Sequence, residues 1–241
     1  MRIFIFSLLP LLFLILTFSP QAFAQGQVSS EISPDEVRRL LDSNQMPRHQ
    51  SVNTTGTPYL FEDFHDGVFE LFNGRTTRQM PLRYNSNDQS LEFLDGDIAY
   101  SVDSNSVKSF EIYIDNATHK FKRGYEASRL SKNDFVQIII DDNLKLFARH
   151  FTTYQRDVPV YNSATRHDVY QSDVAYYVQI GDNDLERIRS LRERRVMTHI
   201  NSHRDEIDAF IRSREIDFSK AEDVKQLFIY YNSLLAESSA Q

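Results

Sequence analysis

Two histidines four residues apart, His199 and His203, come nearest in this chain to the spacing of a metal site. On one helical turn they would share a face. A zinc-protease motif needs glutamate directly after the first histidine, and Ile200 stands there. The pair is therefore a weak metal candidate that reads as two solvated helix residues, and no metal or other cofactor is expected. His65-Asp66 and His167-Asp168 put acid–base types side by side. Neighbours on a strand point to opposite faces, so neither doublet is a ready catalytic pair. Asp141-Asp142-Asn143 suggests calcium, but the run continues into Leu144-Lys145-Leu146 instead of offering oxygens at alternating positions, and it reads as a hairpin turn. Arg187, Arg189, Arg192, Arg194 and Arg195 form the one basic cluster, diluted by Glu186 and Glu193. It reads as a solvated face, with an anionic lipid or glycan as the alternative.

What is missing narrows the chemistry further. The chain has no cysteine, which removes thiol catalysis, thiolate metal ligands and disulfides together. Its 7 glycines build neither a nucleophile elbow nor a phosphate-binding loop. A net charge of −7 argues against nucleic acid, whose phosphates call for a basic face. Hydrophobic content of 41% and aromatic content of 12% are enough for a real core. No catalytic residue is assigned.

The first residues carry an address. Arg2 precedes an apolar run from Ile3 to Phe18, and Ala22-Phe23-Ala24 closes it with small residues at the positions a signal peptidase reads. The run is short for a membrane span and is interrupted by Pro10. Cleavage after Ala24 is expected, giving an exported protein, periplasmic or extracellular, with no transmembrane span left after processing.

Positioning elements follow from pattern. Residues 25–32 read as a loose polar start. Ser33-Pro34-Asp35-Glu36 has the form of a capping box and opens a short helix through Val37, Leu40 and Leu41. A connector over 44–57 leads to short strands parted by turn pairs. Asn73-Gly74 is expected to fold 68–72 against 75–80. Asp95-Gly96-Asp97, Asp115-Asn116-Ala117-Thr118 and Asp141-Asp142-Asn143 mark three more hairpins, and 169–180 is one long strand. Leu185, Ile188 and Leu191 fit either a helix or another hairpin. Helix is expected from about Ser202 to Ile216, and again after a second capping box at Ser219-Lys220-Ala221-Glu222, where Val224, Leu227, Phe228, Tyr231 and Leu235 make an apolar stripe. The expected fold is α+β and β-rich. An antiparallel, meander-like curled sheet or partial barrel carries a short N-terminal helix and a C-terminal helical hairpin. The division is 1–24 signal peptide, 25–57 helix and linker, 58–191 β domain, 192–236 helical segment packed on it, and 237–241 tail.

Met80-Pro81-Leu82-Arg83-Tyr84-Asn85 followed by Leu91-Glu92-Phe93 resembles a pattern in secreted proteins of Bacteroidetes-type Gram-negative bacteria. Ala175-Tyr176-Tyr177-Val178 and the stretch from Leu227 to Leu234 are similar to that group as well. The resemblance implies an envelope protein and favours the hairpin around Leu185. It carries no activity and no catalytic residue. Within the shared stretch, Arg83 and Tyr84 are the candidates for a binding role. Alternation instead places Leu82 and Tyr84 inside and pairs Arg83 with a neighbouring carboxylate. The function expected is a secreted or periplasmic, non-enzymatic envelope module binding a protein, glycan or lipid. A lipid or lipoprotein carrier with a half-barrel sheet is the first alternative. A hydrolase whose histidines and carboxylates meet only in the folded chain is the second.

Overall fold

The computed structural model describes residues 31–41, 44–45, 54–159 and 166–239. The signal-peptide reading of 1–24 lies outside the described residues, as does 46–53 of the predicted connector. Helix α1 (Pro34–Leu40) starts on the predicted capping box, in which the Ser33 hydroxyl accepts from the Glu36 amide and the Glu36 carboxylate accepts from the Ser33 amide. Ile32 is no loose residue. It is fully buried and bridged to Thr77, because its side chain belongs to the same apolar cluster as Val37.

Two short strands, β1 (Asn44–Gln45) and β2 (Thr54–Thr55), precede the main run of β3 (His65–Leu71), β4 (Met80–Asn85), β5 (Ser90–Asp95) and β6 (Ile98–Val102). A short 3-10 turn then leads to β7 (Val107–Ile114), β8 (Ala117–Lys122), β9 (Val136–Ile140), β10 (Leu144–Pro159), β11 (Arg166–Ile180) and β12 (Glu186–Ile188). All join one sheet in the order β1-β6-β5-β4-β3-β7-β8-β9-β10-β11-β12, with β2 beside β11. The protein is thus α+β and sheet-rich. The path is open from β1 to β12, so the sheet does not close into a barrel. Neighbours pair antiparallel apart from β2, which lies parallel to β11. From β3 onward the meander breaks once, where β7 lands beside β3 and not beside β6.

Turn chemistry explains most of the hairpins. Asp115 and Asn116 both take positive φ, +48° and +62°, as a two-residue connection between twisted strands requires. The Asn73-Gly74 turn forms, but 75–79 is not the return strand. It contributes single contacts such as Glu70 with Thr76, and regular pairing resumes only at Met80 opposite Gly67. At Gly67 a Cβ would stand 2.3 Å from the Glu111 carbonyl oxygen, so only glycine admits β7 this close. Leu185 to Leu191 resolves as a hairpin, with β12 on β11 through Tyr177 opposite Arg187.

The sheet curls strongly. Thr152 on β10 donates its backbone N–H to the carbonyl of Ser86, just past β4, at 3.2 Å, although β3, β7, β8 and β9 lie between those strands in the sheet. A strap over 54–60 reinforces this, since β2 lies on β11 while Tyr59 bridges to Asn85. Inside the curl, Tyr84, Phe110, Phe121 and Phe135 meet ring to ring at 4.5–5.9 Å, with Leu82, Phe69 and Ile112 beside them.

A second core lies over β9 to β12. There α2 (Glu193–Val196), α3 (Arg204–Arg214) and α4 (Ala221–Ser239) bury Val196, Ile207, Val224, Leu227, Phe228 and Tyr231 against Leu144, Leu146, Val178 and Ile188. Asn232 on α4 holds both backbone groups of Leu144, accepting from its N–H at 2.8 Å and donating to its carbonyl at 2.9 Å. The second capping box does not form. The Ser219 hydroxyl donates to Asp217, while Asp223 reaches back to accept from the Asp217 amide. No helix among the described residues is long and apolar enough to cross a membrane.

Candidate functional site

The strands place the two residues of the shared motif on opposite faces of β4. Tyr84 points into the curl and is fully buried against Phe110, Phe121 and Phe135, so it serves packing and offers nothing to an external ligand. Burial pushes its phenol well above the ordinary tyrosine range. Its hydroxyl is enclosed and finds no hydrogen-bond partner among the described residues. Tyr84→Phe is accordingly expected to raise stability by up to about 1 kcal/mol, because an unpartnered buried hydroxyl is a penalty and not a bond. Paired urea melts measure this, and a clear loss would mean the hydroxyl does have a partner in solution.

Arg83 points the other way, into a built cage. Its guanidinium lies 3.7 Å from the centre of the Tyr59 ring and 4.2 Å from that of Phe64. Nη2 donates to Glu92 Oε2 at 2.7 Å and Nε donates to the same oxygen at 3.2 Å, while Nη1 donates to the Glu62 carbonyl. The carboxylate partner expected from the sequence is therefore present. It is not at the surface, since Glu92 is 0% exposed under the 59–64 loop. Burial, and then the Glu92 charge, push the Tyr59 phenol up to about 12. Taken together, these contacts make a closed structural clasp that pins the loop to β4.

The two metal candidates are not brought together. His199 ends a 3-10 turn and His203 precedes α3 in the left-handed region at φ +54°, so no single helix presents both. His199 faces Glu186 at 3.7 Å, and burial holds its imidazole below the ordinary range. His203 contacts Ser238 on α4. Among the described residues no three histidine or carboxylate side chains gather closely enough to hold a metal ion. The doublets separate as strand geometry demands. Asp66 accepts from Gln79, and Asp168 accepts from the Tyr154 hydroxyl and the Asp157 amide.

One assembly was not visible in sequence. His119 and Phe121 share a face of β8, Phe121 stands opposite Gln137, Gln137 opposite Ala148, and His150 lies two residues further along β10. The inner face thus collects His119, Gln137 and His150, with Phe61 packed between His119 and His65 on β3. His150 Nε2–H donates to Gln137 Oε1 at 2.8 Å, and the Gln137 amide donates to His119 Nδ1 at 3.0 Å. Both rings are neutral in this chain of bonds. Burial, then the nearby His119, lower His150 to about 4, and burial followed by the His65 charge also lowers His119. Only the period-2 alternation of β8 and β10 hinted at this row, and strand order was needed to join them.

The pH consequence has a definite sign. Unfolded His150 takes up its proton near pH 6.5, whereas the folded residue resists until about 4. Stability is full above the first value, falls between the two and levels off below the second, by on the order of 2–3 kcal/mol. Urea melts between pH 7.5 and 4 should show this loss in the wild type and a flatter profile for His150→Gln. Identical profiles would show that His150 titrates normally.

Chemically, the inner face offers two neutral imidazoles tied to one amide. The outer face offers a guanidinium already consumed by a buried carboxylate. Compared with known proteins, the chain matches no family model, no curated protein and no solved structure.

Proposed function

We propose that the chain is an exported envelope protein that acts by binding a partner at its surface and not by catalysis. The observation that carries this reading is the filled inner face of the curled sheet. Tyr84, Phe110, Phe121 and Phe135 occupy the space that a half-barrel carrier keeps open for acyl chains. The two imidazoles of that face, His119 and His150, bond to Gln137 and, among the described residues, to no carboxylate or hydroxyl. Export is supported by the apolar leader with its Ala22-Phe23-Ala24 exit, and by the resemblance of the 80–93 stretch to secreted Bacteroidetes proteins.

Native mass spectrometry of the protein recovered from the envelope fraction tests the reading. The expected species starts at Gln25 and carries no acyl lipid inside the fold. One acyl lipid per chain, retained by wild type and lost when Phe110 is changed to tryptophan, would make it a carrier. Turnover of ester or phosphoester substrates abolished by His150→Gln would make it an enzyme. A species beginning at Met1 would make it an anchored protein.

A further inference from the structure

The basic cluster read from sequence as a solvated face divides in the folded chain. Arg187 and Arg189 flank Ile188 on β12, and Arg195 follows on α2. Together with Thr198 and His199 they line a cleft of 310 Å³. Arg192 and Arg194 are outside it. A residue distant in sequence joins on the other side, because Arg129 and Ser128, from the loop before β9, line an adjoining cleft of 680 Å³ with the same Arg187 and Arg189.

This meeting is built. Tyr177 is fully buried, and its hydroxyl donates to the carbonyls of both Ser128 and Arg129, at 3.3 and 3.2 Å. The same Tyr177 stands directly opposite Arg187 in the β11–β12 register. One buried tyrosine therefore anchors the loop that presents Arg129 and pairs with the strand that presents Arg187. Among the described residues, none of Arg129, Arg187, Arg189 and Arg195 makes an ion pair with a carboxylate, and the enclosed Nε of Arg187 has no hydrogen-bond partner. Glu186, the carboxylate that lines both clefts, lies 3.7 Å from His199. The four arginines line two clefts that have Arg187 and Arg189 in common, on a chain whose net charge is −7. Arg83, Arg38 and Arg149 differ in closing against carboxylates, Glu92, Asp95 and Asp134.

We propose that Arg129, Arg187, Arg189 and Arg195 form a binding site for a phosphate group, carried either by a soluble phosphate compound or by a lipid headgroup. Guanidinium forks match phosphate oxygens two at a time, which favours phosphate over a spherical anion. Thr198 lines the first cleft and Ser128 the second. The site deepens the surface-binding reading above and rests on it.

The test uses the purified full protein at constant ionic strength. Inorganic phosphate is titrated against chloride by calorimetry, and vesicles of phosphatidylglycerol in phosphatidylcholine are compared with pure phosphatidylcholine by sedimentation. Saturable phosphate binding, weakened about tenfold by Arg187→Gln and also by the exposed-loop change Arg129→Gln, supports the site with a soluble source. Binding to phosphatidylglycerol vesicles alone, with the same losses, supports it with a headgroup source. Arg214→Gln, at the end of α3 and lining neither cleft, should leave both unchanged, and melts confirm that each variant folds. Binding to neither probe overturns the site, as does equal weakening by Arg214→Gln, which would reduce the effect to overall charge. Either failure leaves the surface-binding reading standing, because that depends on the acyl-lipid and turnover measurements.

Discussion

Arg83→Ala is expected to destabilise the protein by about 3–5 kcal/mol, the range for breaking a buried ion pair by removing one partner. With an exposed partner the substitution would be mild. Glu92 is 0% exposed beside the Tyr59 phenol, and two Arg83 donors share its Oε2. Removing the guanidinium would strand the carboxylate and empty the space between the Tyr59 and Phe64 rings. The paired change Arg83→Met with Glu92→Leu should recover most of the loss, since apolar replacements of similar volume avoid the desolvation penalty. Denaturant melts of the single and paired variants decide it. An Arg83→Ala protein of full stability that nonetheless fails in the cell would turn this clasp into a binding site.

Ending the chain at Phe218 is expected to abolish cooperative unfolding. It removes Val224, Leu227 and Phe228, each 0% exposed, and Tyr231 at 4%. Each such side chain contributes about 1.5–3 kcal/mol by burial, so their joint loss is comparable with the whole stability of an ordinary domain. It also frees both backbone groups of Leu144 from Asn232 at the start of β10. Circular dichroism melts with a dye that reports exposed apolar surface would show a broad transition and strong dye binding. A soluble truncation with a sharp transition would instead make α4 a detachable, partner-binding helix.

Local signals were legible and non-local ones were not. Asp115-Asn116 and the Ser33/Glu36 box act within a few residues, so their chemistry could be read directly. Ser219 failed because α4 begins at Ala221, which leaves Lys220 and not Ser219 next to its first turn, and the Ser219 hydroxyl turns back to Asp217. Arg75 to Gln79 failed because this segment keeps only single contacts with β3, such as Glu70 with Thr76, and regular pairing on that edge starts at Met80. The burial of Glu92 depends on a loop centred some thirty residues earlier, and the row of His119, Gln137 and His150 depends on strand order. Arg129 could not be joined to Arg187 from spacing, since the tyrosine that aligns them acts from a third strand.

The hydrogen bonds between Ser86 and Thr152 link residues 66 apart in the chain. As the polypeptide emerges from the ribosome, β3 to β8 can pair while Ser86, already bonded to Pro58 and Gln89, still lacks Thr152. The row of rings inside the curl then stays open until Phe135 and β10 arrive. Closure late in synthesis leaves a partly built sheet with an aromatic interior on show, the kind of surface that chaperones hold.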